Sequence, residues 1–153
     1  MPRLSAGLLL YRRTGVAIEV FLVHPGGPFW AKKDLGAWSI PKGEYQPDED
    51  PLAAAKRELE EETGLTVAGP FTPLDPVRQA GGKIVAAWAA EADCDATAIR
   101  SNTFKMQWPP NSGKWQEFPE VDRAEWFTLQ AAREKILAGQ SLFLDELEDR
   151  LMR

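Results

Sequence analysis

The sequence predicts an α/β fold in which a mixed β-sheet is flanked by helices on both faces. Three observations predict it: apolar runs of strand length recur along the chain, one sharply punctuated helix interrupts them, and amphipathic helical segments follow the last run. A chain of 153 residues suits one domain, residues 1–153, and is long enough to bury roughly two thirds of its unfolded surface. Hydrophobic residues at 44% and six tryptophans are the composition of a packed core and not of a disordered chain.

Taken in order, "LSAGLLLY" (residues 4–11) and "AIEVFLV" (17–23) are apolar runs on either side of the glycine turn signal "RRTGV", and predict a hairpin. "HPGGPFWAKKDLGAW" (24–38) is rich in Gly and Pro and predicts a loop. "WSIP" then predicts a brief strand and "KGEYQPDED" a second loop. The helix that follows has its start and stop written out. Asp50 suits the N-cap, Pro51 the first turn where its missing N–H costs nothing, and Gly64 the left-handed position after the last turn. Beyond it, "KIVAAWAAEA" (83–92) predicts a buried strand, "TFKMQW" (103–108) an alternating one, and "PPNSGKWQEFPE" a long loop. "AEWFTL" (124–129) predicts the last strand, and "QAAREKILAG" with "SLFLDELEDRL" one or two C-terminal helices.

Composition narrows the function. No apolar run reaches the length of a bilayer span, and the apolar part of "MPRLSAGLLLYRR" is too short for an export signal, so no membrane partner is expected. The single cysteine, Cys94, allows no intrachain disulfide, reads as a partly buried thiol, and fits a reducing cytoplasm. A net charge of −5 argues against polymeric nucleic acid as the main partner. The acidity is also localised. Residues 43–65 carry eight acids and two bases, whereas the rest of the chain carries fifteen acids and sixteen bases. An acidic patch on a nearly neutral body points to a cation site.

The patch lies on the punctuated helix. At about 100° per residue, Leu52, Ala55, Leu59 and Thr63 fall on the core face. Glu58, Glu61 and Glu62 share a neighbouring arc, with Ala54 between them in projection, while Arg57 and Glu60 fall outside it. Like charges so placed destabilise a helix by a few tenths of a kcal/mol per pair. A solvated acidic face is one account of them. The other is a divalent cation, because Mg²⁺ takes carboxylate oxygens and shares its sphere with substrate phosphates.

The residues before the helix decide between these accounts. Gly43, Glu49, Arg57, Glu58, Leu59, Glu61, Glu62, Gly64 and Leu65 fit the pattern G-x5-E-x7-R-E-U-x-E-E-x-G-U, with U a bulky aliphatic residue. This stretch looks like the Nudix box, and the chain resembles the Nudix hydrolases, over 23 residues directly and over most of its length in strand pattern. The resemblance implies a Nudix-type α/β/α sandwich. It also implies hydrolysis of a nucleoside diphosphate linked to another moiety, by water attack on phosphorus with Mg²⁺, or Mn²⁺ in its place, bound at Gly43, Glu58, Glu61 and Glu62. Glu49 and Arg57 match the family's structural ion pair. Family members often add one glutamate six residues before a strand tryptophan, and in "FPEVDRAEW" that spacing selects Glu120, with Glu117 as the second choice. The surrounding Pro- and Gly-rich stretch predicts a mobile loop. The general base falls among Glu61, Glu62 and Glu120.

Substrate contacts are read from the flanking loops. Lys42 directly precedes Gly43 and could meet a phosphate. "PFWAKK", with Trp30 and Lys33, and "WPPNSGKW", with Trp115, pair aromatics with bases in a way that suits base stacking and phosphate contact. The alternative is that Phe29, Trp30, Trp108 and Trp115 pin long loops to the core. His24, the only histidine, reads as structural. The substrate expected is a small-molecule nucleotide, a nucleoside triphosphate or dinucleoside polyphosphate. Yet "GGK" (81–83) stands where dinucleoside polyphosphate hydrolases commonly carry a tyrosine, and the proline tag of the ADP-ribose branch is absent too. ADP-ribose and inositol pyrophosphates remain alternatives, as does a nucleotide-binding sensor that does not hydrolyse, although sensors usually lack box glutamates and this chain has them all.

Overall fold

The computed structural model describes residues 3–152. Met1 and Pro2, which open the segment weighed as an export signal, and Arg153, the last residue of the expected domain, lie outside the described residues. The order of elements is β1 (Leu4–Thr14), β2 (Ala17–Pro25), β3 (Lys42–Glu44), α1 (Pro51–Thr63), β4 (Thr72–Arg78), β5 (Ile84–Glu91), β6 (Thr103–Gln107), β7 (Trp115–Pro119), β8 (Val121–Thr128), α2 (Leu129–Lys135) and α3 (Ser141–Leu151). The sheet is mixed and runs β4-β5-β1-β2-β8, with β3 beside the first part of β1. β1 and β5 are parallel, and the other pairs are antiparallel.

Helices cover both faces. Ala54, Ala55 and Leu59 of α1 pack on Ala6, Leu8, Leu10 and Phe21. On the other face, Phe143, Leu144 and Leu147 of α3 pack with Leu9, Val20 and Leu22. A strand buried on both faces has no polar side, and that is why "GLLLY" and "VFLV" are continuous apolar runs. No helix among the described residues is long and apolar enough to cross a membrane.

The hairpin expected at the start is present, closed by Thr14 opposite Ala17 with Gly15 at φ 63°. One edge of β1 changes partner along its length. It pairs with β3 from Ser5 to Gly7 and with β2 from Tyr11 to Thr14. Between these stretches Leu8 N–H donates to Pro41 O at 3.2 Å and Ser39 bridges Val23 of β2, and the end of β2 and the segment entering β3 together line the cavity of the candidate site.

Several expectations are corrected. "WSIP" is not a strand; Trp38 and Ser39 make only isolated bridges, to Ile136 and Val23. The strand begins instead at Lys42, inside the stretch read as a loop. The "PPNSGKWQEFPE" loop is half strand, because β7 returns on β6 to form a separate two-stranded sheet. Its turn hides the signal, with Asn111 and Gly113 both at positive φ and the polar residues between them giving no periodicity. β4 was not expected at all. It carries Pro73 and Pro76, and its register shifts between Leu74 and Val77, which an edge strand tolerates and a central strand does not. The C-terminal segment forms two helices, α2 and α3.

Candidate active site

Helix α1 has the predicted caps. Asp50 accepts a hydrogen bond from the Ala53 N–H at 2.9 Å, Pro51 opens the helix, and Gly64 ends it at φ 75°. The core face differs in one respect: Ala54, placed by projection within the acidic arc, is fully buried, and Glu58 is buried with it at 8% exposure. A carboxylate so buried needs a reason, because ionised groups leave water only at a large cost.

The reason begins at Gly43. A Cβ built there would collide with the carboxylate of Glu58. The backbone of β3 therefore lies directly against that carboxylate, and only glycine leaves room for it. One residue earlier, the Lys42 N–H donates to Glu62 Oε1 at 3.3 Å. Two helix carboxylates thus face one strand. Gly43→Ala is expected to cost about 1–3 kcal/mol of stability through overpacking and to displace Glu58. Thermal melting checks the first effect, and a Glu58 side-chain shift in a crystal structure of the variant checks the second.

Arg57 organises the strip from outside. Its Nε and Nη2 donate to Glu49 Oε2 and Oε1 at 3.1 and 3.2 Å, a two-pronged pair that fastens the preceding loop to the helix. Its Nη1 lies 3.3 Å from Glu58 Oε1 and 3.4 Å from Glu61. The predicted Glu49–Arg57 pair is thus present, and Arg57 also partly neutralises two acids of the strip. Its own proton is held more tightly than usual, first by the Glu49 hydrogen bonds.

Glu120 reaches the same place by a route the sequence did not disclose. The last carbonyls of α1 have no helical partner. Glu61 O accepts from the Asn102 N–H at 2.8 Å, and Thr63 O accepts from the Arg100 N–H at 2.9 Å. Asn102 O in turn accepts from the Glu120 N–H at 2.8 Å, and Glu120 O from the Gly26 N–H at 2.9 Å. Ser101 Oγ accepts from the Val121 N–H at 2.9 Å. The segment 100–102 therefore stitches the end of α1 to the corner between β7 and β8. Glu120 sits on a braced corner and not on the expected mobile loop. Trp126, from which the six-residue spacing was counted, anchors β8, with its ring edge on Phe21 at 5.4 Å and its Nε1 donating to Cys94 O at 2.8 Å. Cys94 is half-buried, and burial raises its thiol pKa.

The electrostatics follow from this crowding. Burial, and then the charge of Glu58, pushes Glu62 up to about 8. Burial, then Glu61, raises Glu58, and the same two causes raise Glu120. Lys42 is lowered by burial and then by the neighbouring Lys83. The acids are like charges short of counter-charge, the condition that a bound cation relieves. Among the described residues no three acidic, histidine or cysteine side chains are already gathered as a coordination sphere. The side chains that Arg57 holds would have to turn inward. The donor chemistry fits a hard divalent ion: four carboxylates and the backbone of a glycine pressed against one of them.

The other predicted residues divide. Trp30, Lys42, Glu62 and Glu120 line one cavity of about 190 Å³, walled by Val23, Ser39, Ile40 and Leu137. Lys33 Nζ sits 4.9 Å from the centre of the Trp30 ring. Trp115 does not line the cavity; it is exposed on β7, opposite Gln107. Phe29 and Trp108 meet edge to face at 5.2 Å, tying the 26–36 loop to the β6–β7 hairpin. Glu117 is paired across strands with Lys105. His24 is fully buried, with Nε2 donating to Lys33 O at 2.6 Å and Nδ1 2.9 Å from Asp122 Oδ1, so it fastens the loop that carries Trp30. Ser39, Ile40 and Leu137 were not anticipated; no motif marks them, because backbone position alone brings them to the cavity.

The sequence model of the NUDIX domain matches residues 1–147. The chain is 39% identical over 64 residues to an RNA pyrophosphohydrolase of Erythrobacter litoralis, a match covering 42% of this chain and 35% of that protein. A second RNA pyrophosphohydrolase, from Rhodopseudomonas palustris, is 38% identical over 63 residues, covering 41% and 36%. The chain thus spans little more than a third of the length of these curated relatives. Among solved structures, a C. elegans Ap4A hydrolase binary complex superposes with a TM-score of 0.65 at 25% identity, covering 97% of this chain and 98% of that one. The NUDIX domain of Shewanella oneidensis NrtR, crystallised with ADP ribose, superposes at 0.68 with 20% identity, covering 99% and 89%. The family match spans nearly the whole chain and contains the box, and the protein belongs to the NUDIX domain family.

Proposed function

We propose that this protein is a single-domain, Mg²⁺-dependent pyrophosphohydrolase that cleaves a nucleoside diphosphate linked to another moiety. The substrate is a small nucleotide, a nucleoside triphosphate or dinucleoside polyphosphate, met in the cytoplasm. The observation that carries the reading is the meeting of Gly43, Glu58, Glu62 and Glu120 from three separate segments at one crevice. The names of the relatives support the reaction class, and the Ap4A and ADP-ribose neighbours support a small nucleotide.

In this reading Glu58, Glu61, Glu62 and Glu120, with the Gly43 carbonyl, hold Mg²⁺, or Mn²⁺ in its place. When bound, the ion neutralises phosphate charge and lowers the pKa of the attacking water. The chain's residues do the rest. Arg57, fixed by Glu49, holds Glu58 and Glu61 beside the crevice, from which they would turn inward to the ion. One of Glu61, Glu62 and Glu120 accepts the proton of the water. Lys42, with Lys33 beside Trp30, meets phosphate, and Trp30 presents an aromatic wall to the base. Trp115 contacts substrate parts that extend beyond the cavity.

The test is a panel of dinucleoside polyphosphates, ordinary and oxidised deoxynucleoside triphosphates, ADP-ribose and inositol pyrophosphates, with Mg²⁺ and chromatographic separation of the products, because a dinucleoside polyphosphate or ADP-ribose is cleaved to two phosphorylated fragments and no free phosphate. Cleavage of none of them would refute the reading. A cation at Glu61 has a separate consequence. Glu61→Gln should melt no lower than the parent without metal, because Glu61 repels both Glu58 and Glu120. Mg²⁺ should then raise the parent's Tm more than the variant's, since a ligand of the folded state stabilises by mass action. Equal shifts measured by calorimetry would remove Glu61 from the cation site.

A further inference from the structure

The cavity has a wall that β3 and α1 do not hold. Residues 36–40 lie between β2 and β3 and make only isolated bridges. Ser39 exchanges two backbone hydrogen bonds with Val23 of β2, at 2.8 and 3.0 Å, and the remaining fastenings come from the far end of the chain. Gly36 N–H donates to Glu134 O at 3.0 Å, Trp38 N–H to Lys135 O at 2.9 Å, and Leu137 N–H back to Trp38 O at 2.8 Å. The last contact comes from a side chain: the Ile40 N–H donates to Gln140 Oε1 at 3.0 Å.

Gln140 lies on the short turn between α2 and α3 and is fully buried. Its Nε2 donates to Ser39 Oγ at 3.0 Å and to Gln79 Oε1 at 3.1 Å. Ser39 Oγ in turn donates to Ile40 O at 2.6 Å. Both amide protons and the amide oxygen are therefore engaged. A glutamine so buried without full partnership would be destabilising, so the arrangement is specific to this wall. Ser39 and Ile40 line the cavity, and two residues further on stand Lys42 and Gly43, which face Glu62 and Glu58.

We propose that Gln140 is a positioning residue for substrate binding. It sets the depth of the Ser39–Ile40 wall, against which substrate is bound, from a site remote in sequence from the box. The kinetic part rests on the pyrophosphohydrolase reading; the structural part does not.

The experiment compares the whole protein with Gln140→Met, which keeps the volume and removes the hydrogen bonds. Two readouts are taken: hydrogen exchange at the Ile40 amide, and KM and kcat on the best substrate of the panel. The expected result is roughly tenfold faster exchange at Ile40. KM should rise about five- to tenfold while kcat stays within about threefold, the signature of lost ground-state binding. Ser39→Ala, which removes the two hydroxyl contacts to Gln140 and to Ile40 O and leaves the Gln140–Ile40 bond in place, should raise KM by a smaller factor and serves if Gln140→Met does not fold. Leu147→Ala, in the same core but away from the wall, should lower Tm and leave KM unchanged. Unchanged Ile40 exchange in both wall variants would overturn the proposal, and so would a KM rise in Leu147→Ala as large as theirs. Should the parent turn over no pyrophosphate substrate, the functional reading fails, and the exchange result alone decides whether Gln140 holds the wall.

Discussion

Turnover is expected to fall at least about 10³-fold when divalent cations are chelated, and to return with added Mg²⁺ or Mn²⁺ but not with monovalent salt. The size follows from the charge to be managed. The cleaved pyrophosphate link is anionic, and the groups nearest to it here are also anionic or destined to be so: Glu58, Glu62 and Glu120. Arg57 reaches the strip but is committed to Glu49, and burial, then Lys83, lowers the pKa of Lys42. The protein by itself thus supplies too little positive charge to bring a polyphosphate against four carboxylates. A divalent ion reverses the sign of that encounter. The assay is product formation from the best substrate of the panel in excess EDTA with contaminating metal excluded, alongside a circular dichroism spectrum to show that the fold persists. Undiminished turnover would sink the cation site.

Replacing Glu120 by glutamine should lower kcat roughly 10²-fold, the scale of a lost general base, with Tm little changed. Glu120 is exposed even though it lines the cavity and is partly desolvated there, so its side chain contributes little to packing, and the backbone bonds to Asn102 and Gly26 that fix the corner survive the substitution. Loss of rate without loss of stability would therefore report on the site and not on the fold. Glu117→Gln is the comparison. Its side chain lies on the hairpin opposite Lys105, three residues before the corner, and the variant should keep kcat within about threefold. Full activity in Glu120→Gln beside a dead Glu117→Gln would transfer the role. Full activity in both would leave the crowded helix acids as the whole site.

What the sequence determined by itself is whatever depends on neighbours along the chain. The caps of α1 were legible because Asp50, Pro51 and Gly64 act on the turns next to them. The β1–β2 hairpin was legible because two apolar runs flank one glycine turn. The acidic strip was legible because helical periodicity places it, and the Glu49–Arg57 pair because the resemblance to the family implied it. The family was legible because nine residues stand at fixed spacing. Tertiary structure decided the rest. β3 and β4 have almost no local signal: one is three residues long and the other carries two prolines, so each exists only through its partner strand. The burial of Glu58 depends on the absence of a side chain at Gly43, fifteen residues away. The corner that holds Glu120 is built from hydrogen bonds to residues 26 and 102, and the cavity wall from Gln140, a hundred residues beyond Ile40. Backbone hydrogen bonds between distant segments leave no periodicity and no composition bias, because any residue type provides the N–H and the carbonyl.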